Sequence, residues 1–174
     1  MGFLFKDSKY KRDRDLFPEL KWWPIIVGLL LCLFFSTKVQ CQWKMNGNKA
    51  LTGGLMLIGG ASKGFNETLQ FHPDAFFKAF PNANRQWFDP AISWKNKYKN
   101  SDPAQGEAFP LSTNVLVMFT DQYHLNNFLH RGSITSAIVI KIGQKQKFSY
   151  YLLDFLYYTA CYQTGFAASY YPFK

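Results

Sequence analysis

Acidic side chains are scarce in this 174-residue sequence: 11 Asp and Glu stand against 20 Lys and Arg, a formal net charge of +9 at pH 7. That balance suits a polyanionic partner, but it does not separate nucleic acid from an anionic membrane surface. Cysteine is scarcer still. The three, Cys32, Cys41 and Cys161, form no CxxC pair and no zinc-ligand spacing, and a Cys41–Cys161 bridge needs both residues on an oxidising side. There is no GxSxG, no P-loop, no HExxH and no cysteine with an obvious neighbouring base. Without a complete catalytic motif the expectation is a non-enzyme with no cofactor and no metal. Internal repeats and low-complexity tracts are also missing, and the length allows one domain or one small helix bundle.

Aromatic residues, by contrast, are abundant, with 18 Phe, 10 Tyr and 5 Trp making up 19% of the chain. Rings in such number suit bilayer interfaces. The mean hydropathy of −0.18 still requires substantial water-facing segments. Residues 1–21 form a charged arm, Lys6, Lys9, Lys11, Arg12, Arg14 and Lys21 alternating with Asp7, Asp13, Asp15 and Glu19. The uncharged run from Trp22 to Thr37 then reads as a transmembrane helix within 22–39, about 24 Å long at ~1.5 Å per residue, with flanking lysines extending its reach. A cleaved signal peptide is the alternative, with Val39 and Cys41 as the small residues before a cut.

Residues 48–72 predict a second helix in which Gly53, Gly54, Gly59 and Gly60 recur at near-turn intervals and let a neighbour approach. His72-Pro73 ends it. Residues 73–111 read as an irregular polar loop with short helices opened by Pro73-Asp74 and Asp89-Pro90. Ser112 or Thr113 is a candidate cap for a third helix over 112–142, with Gly132 as a candidate break, and 148–173 reads as an aromatic carboxy-terminal membrane helix. The fold class expected is therefore all-α, a small polytopic membrane bundle of three to four helices. With the arm cytoplasmic, Lys78, Arg85, Lys95, Lys97 and Lys99 return to the cytoplasmic side, whereas Lys141, Lys145 and Lys147 break the positive-inside pattern.

Two constellations are candidates for chemistry. Asp121 and His124 stand three residues apart on one helix face, a spacing that can share a proton or hold a metal, or simply lock helices together as a hydrogen-bonded pair. Glu67 and His72 complete such a site if the second and third helices pack. The second constellation is Trp94, Lys95, Lys97, Tyr98 and Lys99, where rings alternate with cations. It reads as an interfacial belt contacting anionic lipid headgroups, in preference to a nucleic-acid site.

The phrases FPNANRQWFDPAISWKNKYKN, DPAQGEAFPLST and TDQYHL carry a resemblance to a family of small Bacteroidetes membrane proteins, some labelled as phage-like structural proteins. It is strongest over Gly64 to Leu125. The family's SW-x-NKYK loop corresponds to Ser93, Trp94, Asn96, Lys97, Tyr98 and Lys99, and its T-D-x-[WY]-H element to Thr120, Asp121, Tyr123 and His124. The resemblance implies a polytopic membrane protein linked to virions with no established reaction; the polar residues that interrupt its third helix fit packing against other subunits as partners. Asn126, Asn127, His130 and Arg131 depart from it by interrupting a helix that the family keeps apolar. The functional expectation is an integral membrane structural or accessory subunit of a virion or envelope assembly. The alternative is a membrane-embedded enzyme acting on lipid or envelope precursors through Asp121 and His124.

Overall fold

The computed structural model describes residues 43–174. The charged arm, the apolar segment at 22–39, the cytoplasmic placement of the amino terminus, the signal-peptide alternative and Cys41 lie outside the described residues. Those described form an all-α unit with no strand among them, only an isolated antiparallel bridge between Tyr98 and Glu107.

Helix α1 (Gly47–Phe71) opens where the Asn46 side chain accepts the Lys49 amide at 2.9 Å, replacing a partner that the first turn lacks. It stops at His72 because Pro73 disfavours helical angles in the residue before it. Pro73 then opens the short α2 (Pro73–Ala79). Asn84 and Asp89 cap two single-turn helices, α3 (Arg85–Phe88) and α4 (Pro90–Ser93). A chain of turns and 3-10 segments leads to α5 (Gln122–Lys141) and α6 (Phe148–Tyr170), and Tyr171–Phe173 closes the chain as a 3-10 turn around Pro172.

The third helix does not begin at residue 112. The Ser112 hydroxyl is committed elsewhere, donating to the Lys97 carbonyl at 2.7 Å, and Leu111 sits at φ 64°, outside helical space. Asp121 makes the cap instead, its extended backbone setting Oδ1 2.8 Å from the His124 amide. Once started, α5 runs through Gly132 without a break.

The expectation of a polytopic integral membrane bundle needs correction. Among the described residues, no helix is long and apolar enough to cross a membrane. Length is not the shortfall, since α1, α5 and α6 hold 25, 20 and 23 residues. Apolarity is. Lys49, Lys63, Glu67 and Asn66 punctuate α1, and Asn126, Asn127, His130 and Arg131 punctuate α5. In α6, tyrosines, Gln163 and Asp154 take the place of aliphatic side chains. The integral membrane localisation inferred from these segments, and the sidedness of their lysines, fall with that finding.

Helix α1 is the middle element and packs against both α6 and α5. On the α6 side the backbones nearly touch: a Cβ at Gly60 meets the Tyr162 carbonyl, and one at Gly165 meets the Leu57 carbonyl. Hydroxyls span the seam, Thr68 donating to the Ser169 carbonyl and Ser169 to the Ala61 carbonyl, both at 2.8 Å. On the α5 side the contacts are polar. His130 Nδ1 donates to the Gly59 carbonyl at 3.0 Å, and the Asn126 amide donates to Asn66 Oδ1 at 2.9 Å. The apolar core is small, Leu69, Phe76 and Phe77 with Phe65, Phe88 and Phe173 packed on them.

Candidate functional site

Asp121 is fully buried, and both of its carboxylate oxygens are in use. Oδ1 caps α5, while Oδ2 lies 2.6 Å from His124 Nδ1 and 3.2 Å from the Thr120 hydroxyl. A carboxylate can only accept, so Nδ1 carries the proton and Nε2 is left as the basic nitrogen. The imidazole is partly exposed, at 23% of its side-chain surface. This arrangement orients one ring nitrogen for proton acceptance, the chemistry of a general base.

The neighbouring loop is fastened to this cap. Asn96 Nδ2 donates to the Thr120 carbonyl at 3.0 Å and to the Gln86 carbonyl at 2.6 Å. The Trp87 indole donates to Gln122 Oε1 at 3.0 Å, Gln122 passes a hydrogen bond to Asn126, Asn126 to Asn66, and Asn66 to the Tyr123 carbonyl. One directional relay therefore joins α3, α5 and α1.

Glu67 and His72 do not complete the site. Glu67 pairs with Lys63 one turn earlier at 2.5 Å, and its hydrogen bond holds the Lys63 ammonium above its ordinary pKa. The His72 ring stands against Tyr170, with Nε2 3.0 Å from the hydroxyl. Among the described residues, no group of three or more His, Cys, Asp or Glu side chains is placed to hold a metal ion.

The Trp94–Lys99 segment turns on itself. Trp94–Lys97 forms a 3-10 turn, and Tyr98 and Lys99 then pair with Glu107 and Gly106. Lys95 Nζ lies 5.7 Å from the Trp94 ring centroid and Lys97 Nζ 5.4 Å from that of Tyr98, while Lys95 and Lys99 stay exposed.

A second charged centre had only one trace in the sequence, the lone acid of the last helix. Asp154 is 2% exposed and takes hydrogen bonds from Lys141 and Gln146, each at 2.7 Å, and from the Trp43 indole at 2.8 Å. Lys49 Nζ stands 3.5 Å away and 4.4 Å from the Trp43 ring centroid. Burial pushes this carboxyl up, but the hydrogen bonds from Gln146, Lys141 and Trp43, together with the Lys141 charge, prevail and lower it to about 2. The signal available for it is a single acid in a largely uncharged stretch preceded by Lys141, Lys145 and Lys147.

No protein-family model, curated protein or solved structure matches the sequence.

Proposed function

We propose that this chain is a structural or accessory subunit of a larger protein assembly, with its apolar helix faces covered by other subunits. The observation that carries the reading is an inverted distribution of side chains. Among the described residues, the buried ones include Lys49, Asn66, Thr68, Asp121, Asn126 and Asp154, whereas the buried apolar side chains are Leu69, Phe76, Phe77 and Ala137. Meanwhile Phe148 is 83% exposed and Val139 61%. Phe148, Leu152 and Leu156 follow at one-turn spacing and line one stripe of α6. Contiguous exposed apolar surface on a folded unit marks an interaction face. The resemblance supports an envelope or virion complex as the parent assembly, and the exposed lysines of Trp94–Lys99 suit anionic headgroups at its edge.

The test is the native mass of the full chain's complex. Val139→Lys combined with Phe148→Lys leaves the helical circular dichroism unchanged and reduces the assembled mass to that of the single chain. An unchanged mass, or a single-chain mass for the wild type under native conditions, overturns the proposal.

A second reading, an acid–base enzyme acting on lipid or envelope precursors, is favoured by one observation: the Asp121–His124 pair leaves Nε2 of a partly exposed imidazole as a base. His124→Gln in a correctly folded chain then abolishes turnover of those precursors. Retained turnover removes this reading.

A further inference from the structure

Asp154 ties two segments that are distant in sequence into one end of the bundle. It receives Trp43 and Lys49 from around the start of α1, and Lys141 and Gln146 from the end of α5 and the turn beyond it. That turn is fastened further. Gly143, at φ 83°, lets the chain leave α5 sharply, Gln144 Nε2 donates to the Ile140 carbonyl at 2.8 Å, and the Tyr151 hydroxyl donates to the Gln144 carbonyl.

The charge displayed at this end is of one sign. Lys44, Lys145 and Lys147 are exposed, whereas Lys49 and Lys141 turn inward to Asp154. Residues 43–50 and 141–153 contain no acid at all. Among these lysines stand aliphatic side chains in water, with Met45 51% and Ile142 72% exposed. An anionic lipid surface complements both, offering phosphates to the lysines and a headgroup layer into which apolar side chains reach. A nucleic acid complements only the charge. The sequence favours lipid as well, because the uncharged run from Trp22 to Thr37 is joined to this end, with residues 38–42 between it and Trp43.

We infer that this end of the bundle docks on an anionic lipid bilayer, with Lys44, Lys145 and Lys147 against headgroup phosphates and Met45 and Ile142 among the headgroups. The contact is made at the surface, in keeping with described helices too polar to cross a membrane. It does not rest on the subunit reading, which concerns the side of α6. It is also distinct from the Trp94–Lys99 turn, which Asn96 fastens to Thr120 at the opposite end of α5.

The test is quenching of a fluorophore in the full chain by vesicles of phosphatidylglycerol that carry a nitroxide at the headgroup. Cys32, Cys41 and Cys161 are changed to Ser, and one bimane label is attached through Ile142→Cys or, for comparison, through Lys78→Cys on α2. The label at 142 is quenched and the label at 78 is not. Because each label reports only its own position, lipid contact elsewhere in the chain does not enter. Quenching at 142 is lost in phosphatidylcholine vesicles carrying the same nitroxide. It is also lost when Lys44→Gln, Lys145→Gln and Lys147→Gln are combined, a variant whose helical circular dichroism is unchanged. Four results each overturn the inference: no quenching at 142, equal quenching at 142 and 78, quenching kept in phosphatidylcholine, or quenching kept in the triple variant. An oligonucleotide that abolishes the quenching at a phosphate concentration equal to that of the lipid assigns this end to nucleic acid and overturns it too.

Discussion

Gly60 of α1 and Tyr162 of α6 meet backbone to backbone, with the carbonyl oxygen of Tyr162 in the space that a Cβ on Gly60 needs. Because the obstacle is main chain, it cannot swing aside as a side chain does. Gly60→Ala is expected to destabilise the fold by about 3 kcal/mol, at the upper end of overpacking costs. Gly54 lies in the same helix with nothing within 4 Å of its would-be Cβ, so Gly54→Ala gains about 0.5–1 kcal/mol from helix propensity. Urea unfolding of the two variants side by side checks the contrast, and equal effects count against the close approach of α1 and α6.

Acid weakens the fold through Asp154. Its carboxyl titrates at about 2 in the folded chain, against ~3.9 when unfolded. A depressed folded value means that the stabilisation is complete above the unfolded pKa and is lost as pH falls through the folded one. It amounts to between about 2 and 3 kcal/mol, and the loss runs from about pH 4 down to about pH 2. Denaturant midpoints measured across that window read it directly, and Asp154→Asn flattens this part of the profile.

Asp154→Asn also has a cost at neutral pH. It leaves Lys49 and Lys141, whose side chains are 8% and 17% exposed, without their carboxylate. Removing one member of a buried ion pair typically costs about 3–5 kcal/mol, and the partial access of Lys141 to water puts this case at the lower end. Lys141→Met with Asp154→Leu removes charge from both sides and restores part of the loss. Thermal melting of the single and double variants decides the matter. A double variant less stable than Asp154→Asn contradicts the account.

At the Asp121–His124 pair the readout is a tautomer. In the wild type Nδ1 carries the proton, donated to Oδ2 across 2.6 Å. Asp121→Asn keeps an oxygen for the His124 amide, so the helix cap survives, but it turns an NH2 toward the ring. The proton is then expected on Nε2, visible in the ring nitrogen shifts of labelled protein in alkaline buffer. Asp121→Ala loses the cap and costs about 1 kcal/mol. A wild-type ring protonated on Nε2 rules out the donor assignment.

Much of the helical framework was legible because its signals are local. The His72-Pro73 stop and the three-residue spacing of Asp121 and His124 each act within a turn or so of chain. The start of α5 was not: the sequence points to Ser112 or Thr113, but a distant partner, the Lys97 carbonyl, takes the Ser112 hydroxyl, and Asp121 makes the cap. Asp154 was legible only as an anomaly. Its partners lie at Trp43, Lys49, Lys141 and Gln146, the first separated from it by 111 residues, and no window on the sequence joins them. Helix length and aromatic richness point to a membrane at the later helices, but the polar residues that punctuate each described helix leave none apolar enough to cross one.

The relay from Trp87 through Gln122, Asn126 and Asn66 to the Tyr123 carbonyl has a consequence for alignment. Greasy surfaces slide over one another with little change in energy, whereas amide groups have a head and a tail and meet properly at one offset only. Moving α5 along α1 by a single turn, about 5.4 Å, disconnects the two asparagines and strands polar atoms out of water. With few apolar side chains to interlock, the unit takes its one register from asparagine and glutamine, as a key takes its depth from its notches.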